Sequence, residues 1–253
     1  MEKPLAIVTT YNRLDETRRC LSSFEPYFAD LELIVVDNGS NTEMTDWLRA
    51  YGKLNKRITV ILMGENVGCP RALNEALKFR KLGQPVIKID NDVVLLNRQS
   101  DWLADLEALV DGMRLLGNPV AMVSAYYEPW DQNRVVGVRN TWLGERLLSV
   151  RPVIGHCVYH TGEFMDIVGH FDVLAPDHLY GFEDLLMSHK ATALNRAMIA
   201  WGGWRIENIQ RHGALGSKEA RDTHVEAMRP LYNARAAQIT PNRVYTDITG
   251  VLL

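Results

Sequence analysis

The sequence predicts an α/β domain with a central, mostly parallel sheet flanked by helices. Three observations predict it. Short apolar runs recur at 5–9, 33–36, 58–63 and 86–89. The segments between them carry apolar residues at helical spacing. Each run gives way at once to polar or turn-forming residues. Strands alternating with helices imply parallel pairing through right-handed crossovers.

Taken in order, LAIVT at 5–9 reads as a buried strand. Residues 15–24 place Thr17, Cys20, Leu21 and Phe24 on one helical face. LIVV at 33–36 is a second strand, stopped by the turn-forming DNGSN. Asn41 is a candidate cap for a helix with Met44, Trp47, Leu48 and Tyr51 on its apolar face and Gly52 as its stop. Residues 58–63 form a third strand. Pro70 suits a first helical turn, followed by Leu73, Ala76 and Leu77. Residues 86–89 form a fourth strand, ending at DND. Beyond it come a helix at 101–113 and a strand at 120–124. Residues 126–150 read as loops with a hairpin, followed by a strand at 153–159. A helix starts near Phe182, with Met187, Ala191, Leu194 and Met198 on one face. A last helix runs from Lys218 to about Ala237, kinked near Pro230.

The chain has 253 residues, which allows one large domain or two small ones. There is no repeat, low-complexity tract or Ser/Gly-rich linker, so one continuous domain is expected. Hydrophobic residues at 47% and charged residues at 23% exclude disorder, collagen and coiled coil. A net charge of −3 argues against a basic nucleic-acid-coating protein. Cys20, Cys69 and Cys157 make no zinc spacing, and an odd, sparse count suggests a reducing compartment. No segment reaches the ~18 apolar residues of a transmembrane span. The apolar stretch at 5–8 is too short for a signal peptide. A cytoplasmic, soluble protein is expected.

Open α/β sheets bind ligands at the carboxyl ends of their strands. There, Asp90-Asn91-Asp92 offers carboxylates for a hard divalent cation and a sugar hydroxyl, or else makes a solvated turn. Asp37 can accept a hydrogen bond from a nucleobase imide or a ribose hydroxyl, or simply form a turn with Asn38, Gly39 and Ser40. Tyr11 offers an aromatic face for base stacking, or is an ordinary half-buried ring. Residues 64–71 place glycines before a helix, where free amides and Arg71 suit an anion. The pattern is neither GxGxxG nor a P-loop. Glu183 and Asp184 stand at a helix start, where the dipole favours ionised carboxylates and a general base, or plain charge complementarity. His212 is a loop histidine, an ordinary surface residue or else one able to complete a metal site.

These pieces, in this order, resemble the family 2 glycosyltransferases of GT-A fold. The resemblance is carried by AIVTTYNR at 6–13, LIVVDNGSN at 33–41, ENVGCPRALNEAL at 65–77, VIKIDNDVVL at 86–95, GEFMDIVGHFD at 162–172, GFED at 181–184 and RHGALGS at 211–217. It implies a single GT-A-like (Rossmann-like) domain with a nucleotide-sugar-binding half at 1–95, an acceptor and catalytic half at 96–217 and a helical tail at 218–253. It implies a nucleotide-sugar donor, commonly a uridine diphosphate sugar, and Mn²⁺ or Mg²⁺. Thr9, Tyr11, Asp37 and Asn66 would contact the uridine side, and Arg71 the uracil or phosphates. Asp90 would face the ribose or sugar, with Asn91 between it and Asp92. Asp92 would hold the metal, and His212 would add a metal or diphosphate contact. Asp184 matches the catalytic base, with Glu183 positioning it or binding acceptor. The implied reaction is an inverting single displacement. His160 and Thr161 stand where members commonly carry an arginine.

The acceptor is open: a saccharide, a lipid-linked glycan or a protein. A hydroxymethylated base in viral DNA is the minority reading, resting on Arg134, Arg139, Arg146 and Arg151 beside Trp130 and Trp142, and on the tail arginines Arg221, Arg229, Arg235 and Arg243. His156, Trp130, Trp142, Trp201 and Trp204 are candidates to line the acceptor pocket, though WGGW reads equally as sheet packing. Two rivals of other classes are a nucleotidyltransferase, whose glycine-rich lysine loop TTYNRLDETRR lacks, and a non-catalytic nucleotide-sugar-binding module.

Overall fold

A computed structural model describes residues 2–96, 101–127, 135–140, 146–150, 152–153, 155–209 and 218–240, with backbone alone for 135–140, 146, 147 and 218. The elements run β1 (Leu5–Thr10), α1 (Leu14–Phe24), β2 (Glu32–Asp37), α2 (Thr42–Leu54), β3 (Ile58–Leu62), α3 (Cys69–Leu77), β4 (Val86–Asp90) and β5 (Val93–Leu95). There follow α4 (Trp102–Leu115), β6 (Val120–Tyr126), β7 (Val135–Asn140), β8 (Arg146–Val150), β9 (Cys157–His160), α5 (Gly162–Val168), α6 (Glu183–Ala193), β10 (Ala197–Asn208) and α7 (Lys218–Gln238).

The strands form one sheet in the order β3-β2-β1-β4-β9-β6-β10-β8-β7, with β5 paired to β10. From β3 to β4 every pairing is parallel, as the crossovers require. Beyond β4 the sheet is mixed. β9 is antiparallel to both β4 and β6, while β6 and β10 are parallel. The hairpin expected within 126–150 is β7–β8.

Strand alternation sends side chains to two cores. Ala6, Val8, Leu33, Val35, Ile87 and Ile89 pack with α1, α2 and α4 through Leu21, Phe24, Met44, Leu48, Trp102 and Leu106. Leu5, Ile7, Ile34, Val36 and Val86 face the other way, against Leu73 and Leu77 of α3, Phe164 and Met165 of α5 and Met187 of α6. Both faces of the parallel strands are thus covered, which is why their sequences are apolar runs rather than alternating patterns.

Asn41 caps α2 as expected, its Oδ1 accepting from the Met44 N–H at 3.0 Å. Gly52 does not stop that helix, which runs to Leu54. A Cβ at Gly52 would lie 2.9 Å from Val60 Cγ2, so the glycine admits β3 closely instead. α6 ends at Ala193, and Asn195 takes a left-handed conformation (φ 51°) that turns the chain. Met198 therefore belongs to β10, not to the helical face. The strand expected at 153–159 is confined to Cys157–His160. Trp201 and Trp204 are buried in β10, and Trp204 stacks on Trp102 at 5.0 Å. They pack the core. His160 is buried against Phe164 and Phe171, with neither ring nitrogen partnered among the described residues. Burial, helped by Lys88, pushes its pKa down to about 3, so it stays neutral. Thr161 caps α5 through the Phe164 N–H. Among the described residues no helix is long and apolar enough to cross a membrane.

Candidate active site

The carboxyl ends of β1 and β4 open on a cleft of about 210 Å3. Thr9, Thr10, Tyr11 and Arg13 come from β1 and its turn. Asn38 and Asn66 come from the loops after β2 and β3, and Lys88, Asp90, Asn91 and Asp92 from β4 and its turn. Gly155 and His156 precede β9, and Tyr180, Glu183 and Asp184 close the opposite wall.

The loops after β2 and β3 are tied together by amides. Asn38 Oδ1 accepts from the Val67 N–H, and its Nδ2 donates to Asn66 Oδ1 at 3.0 Å. Asn66 Oδ1 also accepts from the Gly68 N–H. A Cβ at Gly39 would lie 2.2 Å from the Glu65 carbonyl carbon, so only glycine lets the loops touch. Asp37 is fully buried and accepts from the Ser40 N–H at 3.0 Å. It shapes this turn and is not among the cleft-lining side chains. Its Oδ1 has no partner among the described residues.

Arg71 is placed differently from the sequence expectation. Its guanidinium donates to the carbonyls of Val67, Ala175 and Pro176, and it does not line the cleft. The loop before α6 lies against the start of α3 and offers these oxygens, so the cation goes to the loop. Asn91 is also turned inward. Its amide donates to Thr10 Oγ1 and Thr17 Oγ1, fixing α1 to the DND turn. His212, Trp130, Trp142, Arg134, Arg151 and Arg243 lie outside the described residues, and Arg139 and Arg146 are described by backbone alone.

Lys88 joins the two walls. Strand alternation puts Lys88 and Asp90 on one face of β4. Only 2% of the Lys88 side chain is exposed, and its Nζ lies 2.7 Å from the Gly155 carbonyl, 3.0 Å from Asp90 Oδ1, 3.2 Å from Asp184 Oδ2 and 3.8 Å from Glu183 Oε1. Burial would lower its pKa, but Asp184, Asp90 and Glu183 outweigh it and hold the ammonium charged. Burial would raise Asp90, yet Lys88 and His156 hold it below the usual carboxylate range. His156 Nδ1 stands 3.4 Å from Asp90 Oδ2. Burial, then the Asp184 charge, push Glu183 up to about 7. Burial also raises Asp184, against the pull of Lys88. A Cβ at Gly155 would overlap Asp184 Oδ2 at 1.6 Å.

Sequence reasoning overlooked Lys88, Arg13 and Gly155. The signal for Lys88 was present, since a lone lysine inside a buried strand, VIKID, requires a partnered charge.

Asp92 Oδ2 accepts from Arg13 at 2.6 Å, while Asp92 Oδ1 is buried with no partner among the described residues. Burial and the neighbouring Asp90 charge raise its pKa. An unpartnered oxygen in a carboxylate-rich turn fits a divalent cation that takes its other ligands from phosphate and water. Among the described residues there is no cluster of three or more side chains able to hold a metal alone.

Residues 5–145 match the family model described as Glycosyl transferase family 2. The chain belongs to this family. Solved glycosyltransferases share the fold of this family 2 chain. GalNAc-T7 with UDP, GalNAc and Mn2+ is 16% identical with a TM-score of 0.63, over 92% of this chain and 49% of that one. The mannosyltransferase PcManGT from Pyrobaculum calidifontis, in complex with GDP-Man and Mn2+, is 21% identical with a TM-score of 0.59, over 92% and 69%. S. aureus TarS 1-349 in complex with UDP-GlcNAc is 20% identical with a TM-score of 0.60, over 91% and 65%. The family 2 chain thus spans about half of GalNAc-T7 and about two thirds of the other two. A search of curated protein sequences finds no match.

Proposed function

We propose that this glycosyltransferase moves a sugar from a nucleotide-sugar donor, a uridine diphosphate sugar on the family pattern, to an acceptor hydroxyl with inversion. One observation carries the reading. Asp184, from the start of α6, and Asp90, from the end of β4, meet across a single cleft on the same lysine. Thr9, Tyr11 and Asn66 line the donor side of that cleft, which suits a nucleoside.

Asp184 is the base. Lys88 holds its Oδ2, while Oδ1 is without a partner among the described residues and so keeps its lone pairs for a proton. The acceptor oxygen attacks the anomeric carbon as its proton passes to Asp184 Oδ1, and the bond from that carbon to the diphosphate breaks. Glu183, beside it, positions the base or binds acceptor. Asp90, kept ionised by Lys88 and His156, faces the sugar. Asp92 would hold Mn²⁺ or Mg²⁺, which would supply positive charge to offset the leaving diphosphate. The acceptor is a saccharide, lipid-linked glycan or protein hydroxyl.

The test is a thermal-shift panel of nucleotide sugars with and without Mn²⁺, followed by turnover of the donor that binds. Asp92→Ala should lose the metal-dependent shift. Asp184→Asn should keep donor binding and lose transfer by about a hundredfold or more, the scale of a positioned general base. Transfer by Asp184→Asn at the wild-type rate overturns the assignment of the base.

A further inference from the structure

The loop 174–182 forms one wall of the cleft through Leu179 and Tyr180 and delivers the chain to Glu183 and Asp184. Within the loop, buried His178 accepts from the Leu174 N–H at its Nδ1, 3.2 Å away, and its Nε2 lies 2.7 Å from the Gly181 carbonyl. Phe182 precedes α6 in a left-handed conformation (φ 70°), with no side-chain cap on the helix. That conformation is unusual for a bulky residue and persists only where the surroundings impose it.

The surroundings are two elements, the start of α3 and α7. From the first, Arg71 donates to the Ala175 and Pro176 carbonyls, and the Cys69 N–H donates to the Leu179 carbonyl at 2.9 Å. A Cβ at Gly68 would lie 2.1 Å from the His178 carbonyl oxygen, so α3 and the loop are in direct backbone contact. The second element is α7. His224 Nε2 accepts from the Leu179 N–H at 3.2 Å and the Tyr180 N–H at 3.4 Å. An Nε2 that accepts places the imidazole proton on Nδ1. Tyr232 stacks on Phe182 with centroids 4.5 Å apart, and the Arg229 guanidinium covers the same ring at 6.0 Å. α7 is itself anchored, because Arg235 Nε donates to buried Asp172 Oδ1 at 2.6 Å while Lys190 of α6 takes Asp172 Oδ2 at 2.7 Å.

We propose that His224 and Arg71 are positioning residues for sugar transfer, acting through the loop that both hold to set the start of α6, and with it the Glu183–Asp184 pair. The proposal makes α7, which contributes no residue to the cleft lining, a working part of the site. It rests on the glycosyltransferase reading for its catalytic consequence, but not for the placement of the loop.

The experiment uses the full chain with His224→Leu, which keeps bulk and removes the acceptor, His224→Gln, which offers a side-chain oxygen, and Arg71→Met. Two readouts are taken. Amide hydrogen exchange is followed at 179–180 and 183–186. Binding of UDP with Mn²⁺ and kcat for the donor found in the panel are measured separately. Exchange at both stretches should rise at least about tenfold in His224→Leu, as expected when backbone donors lose their acceptor. kcat should fall about ten- to a hundredfold, the cost of a misplaced reacting group, with UDP affinity within about threefold. His224→Gln should recover much of both. Arg71→Met should show the same split. A fall in UDP affinity with kcat unchanged would instead make Arg71 a donor contact and overturn its assignment. Unchanged exchange at 183–186 in both single variants overturns the proposal outright. If no donor is turned over by the wild type, the glycosyltransferase reading fails, and exchange still decides whether His224 and Arg71 set the start of α6.

Discussion

Glu183 gives a prediction whose size follows from its surroundings. It is 4% exposed, its Oε2 has no partner among the described residues, and Lys88 Nζ is 3.8 Å from its Oε1. Burial and the Asp184 charge raise its pKa from 4.5 to about 7. The folded state therefore binds a proton that the unfolded chain has already released, and stability falls as pH rises through this window. Each pKa unit is worth about 1.4 kcal/mol, so the raise amounts to roughly 3 kcal/mol once pH exceeds 7 and about 1 kcal/mol at pH 5. Glu183→Gln removes the titration while keeping shape. Relative to wild type, the variant should gain about 2 kcal/mol in urea unfolding between pH 5 and pH 8. The amide's own packing adds an offset equal at both pH values, so the difference between them reports the titration of the Glu183–Asp184 pair. A gap that stays constant, or narrows as pH rises, refutes the reasoning.

Three further outcomes follow from single contacts. Lys88→Met strands Asp90, Glu183 and Asp184 in a buried site, and urea unfolding at pH 8 should show a loss of about 3–5 kcal/mol, smaller at pH 5 where the acids protonate. Gly155→Ala forces Asp184 away from its 1.6 Å overlap, so donor turnover should drop by about tenfold or more while circular dichroism stays native. Asn41→Ala removes the cap on Met44 and should cost about 1 kcal/mol in thermal unfolding without changing UDP binding.

The first half of the fold was legible because it is repetitive. Four apolar runs, each ending in polar residues, carry the strand positions and, through crossover handedness, their parallel pairing. The cap at Asn41 and the burial of the WGGW tryptophans followed from local chemistry. The second half was less so. Val93–Leu95 is three residues long and pairs only with the far end of β10, a partner no local pattern reveals. Met198 continues a helical spacing by coincidence, and the break at Asn195 depends on backbone geometry. In the site, Thr9, Tyr11, Asn66, Asp90, Asn91, Asp92, Glu183 and Asp184 are brought to one cleft. Arg71 and Asn91 have side chains that fit a ligand equally well on paper, but carbonyls at 175 and 176 and hydroxyls at Thr10 and Thr17 claim them first.

The position of Lys88 follows from the change of strand direction beside it. A parallel neighbour brings only its own carboxyl end to the cleft edge, which is what β1 and β2 do. An antiparallel neighbour brings its beginning there. β9 pairs antiparallel with β4, Ile89 opposite Cys157, and the Asp90 N–H donates to the His156 carbonyl at 2.8 Å. Residues leading into β9 are thereby laid beside residues leaving β4, so the Gly155 carbonyl meets Lys88 and His156 meets Asp90. With the absence of a side chain at Gly155, the start of α6 can approach closely enough for Asp184 to share the same ammonium. One buried cation then satisfies carboxylates from two elements far apart in sequence, and removing it should unsettle both at once. The switch from parallel to antiparallel pairing is thus what lets Asp90 of β4 and Asp184 of α6 be set by the same residue.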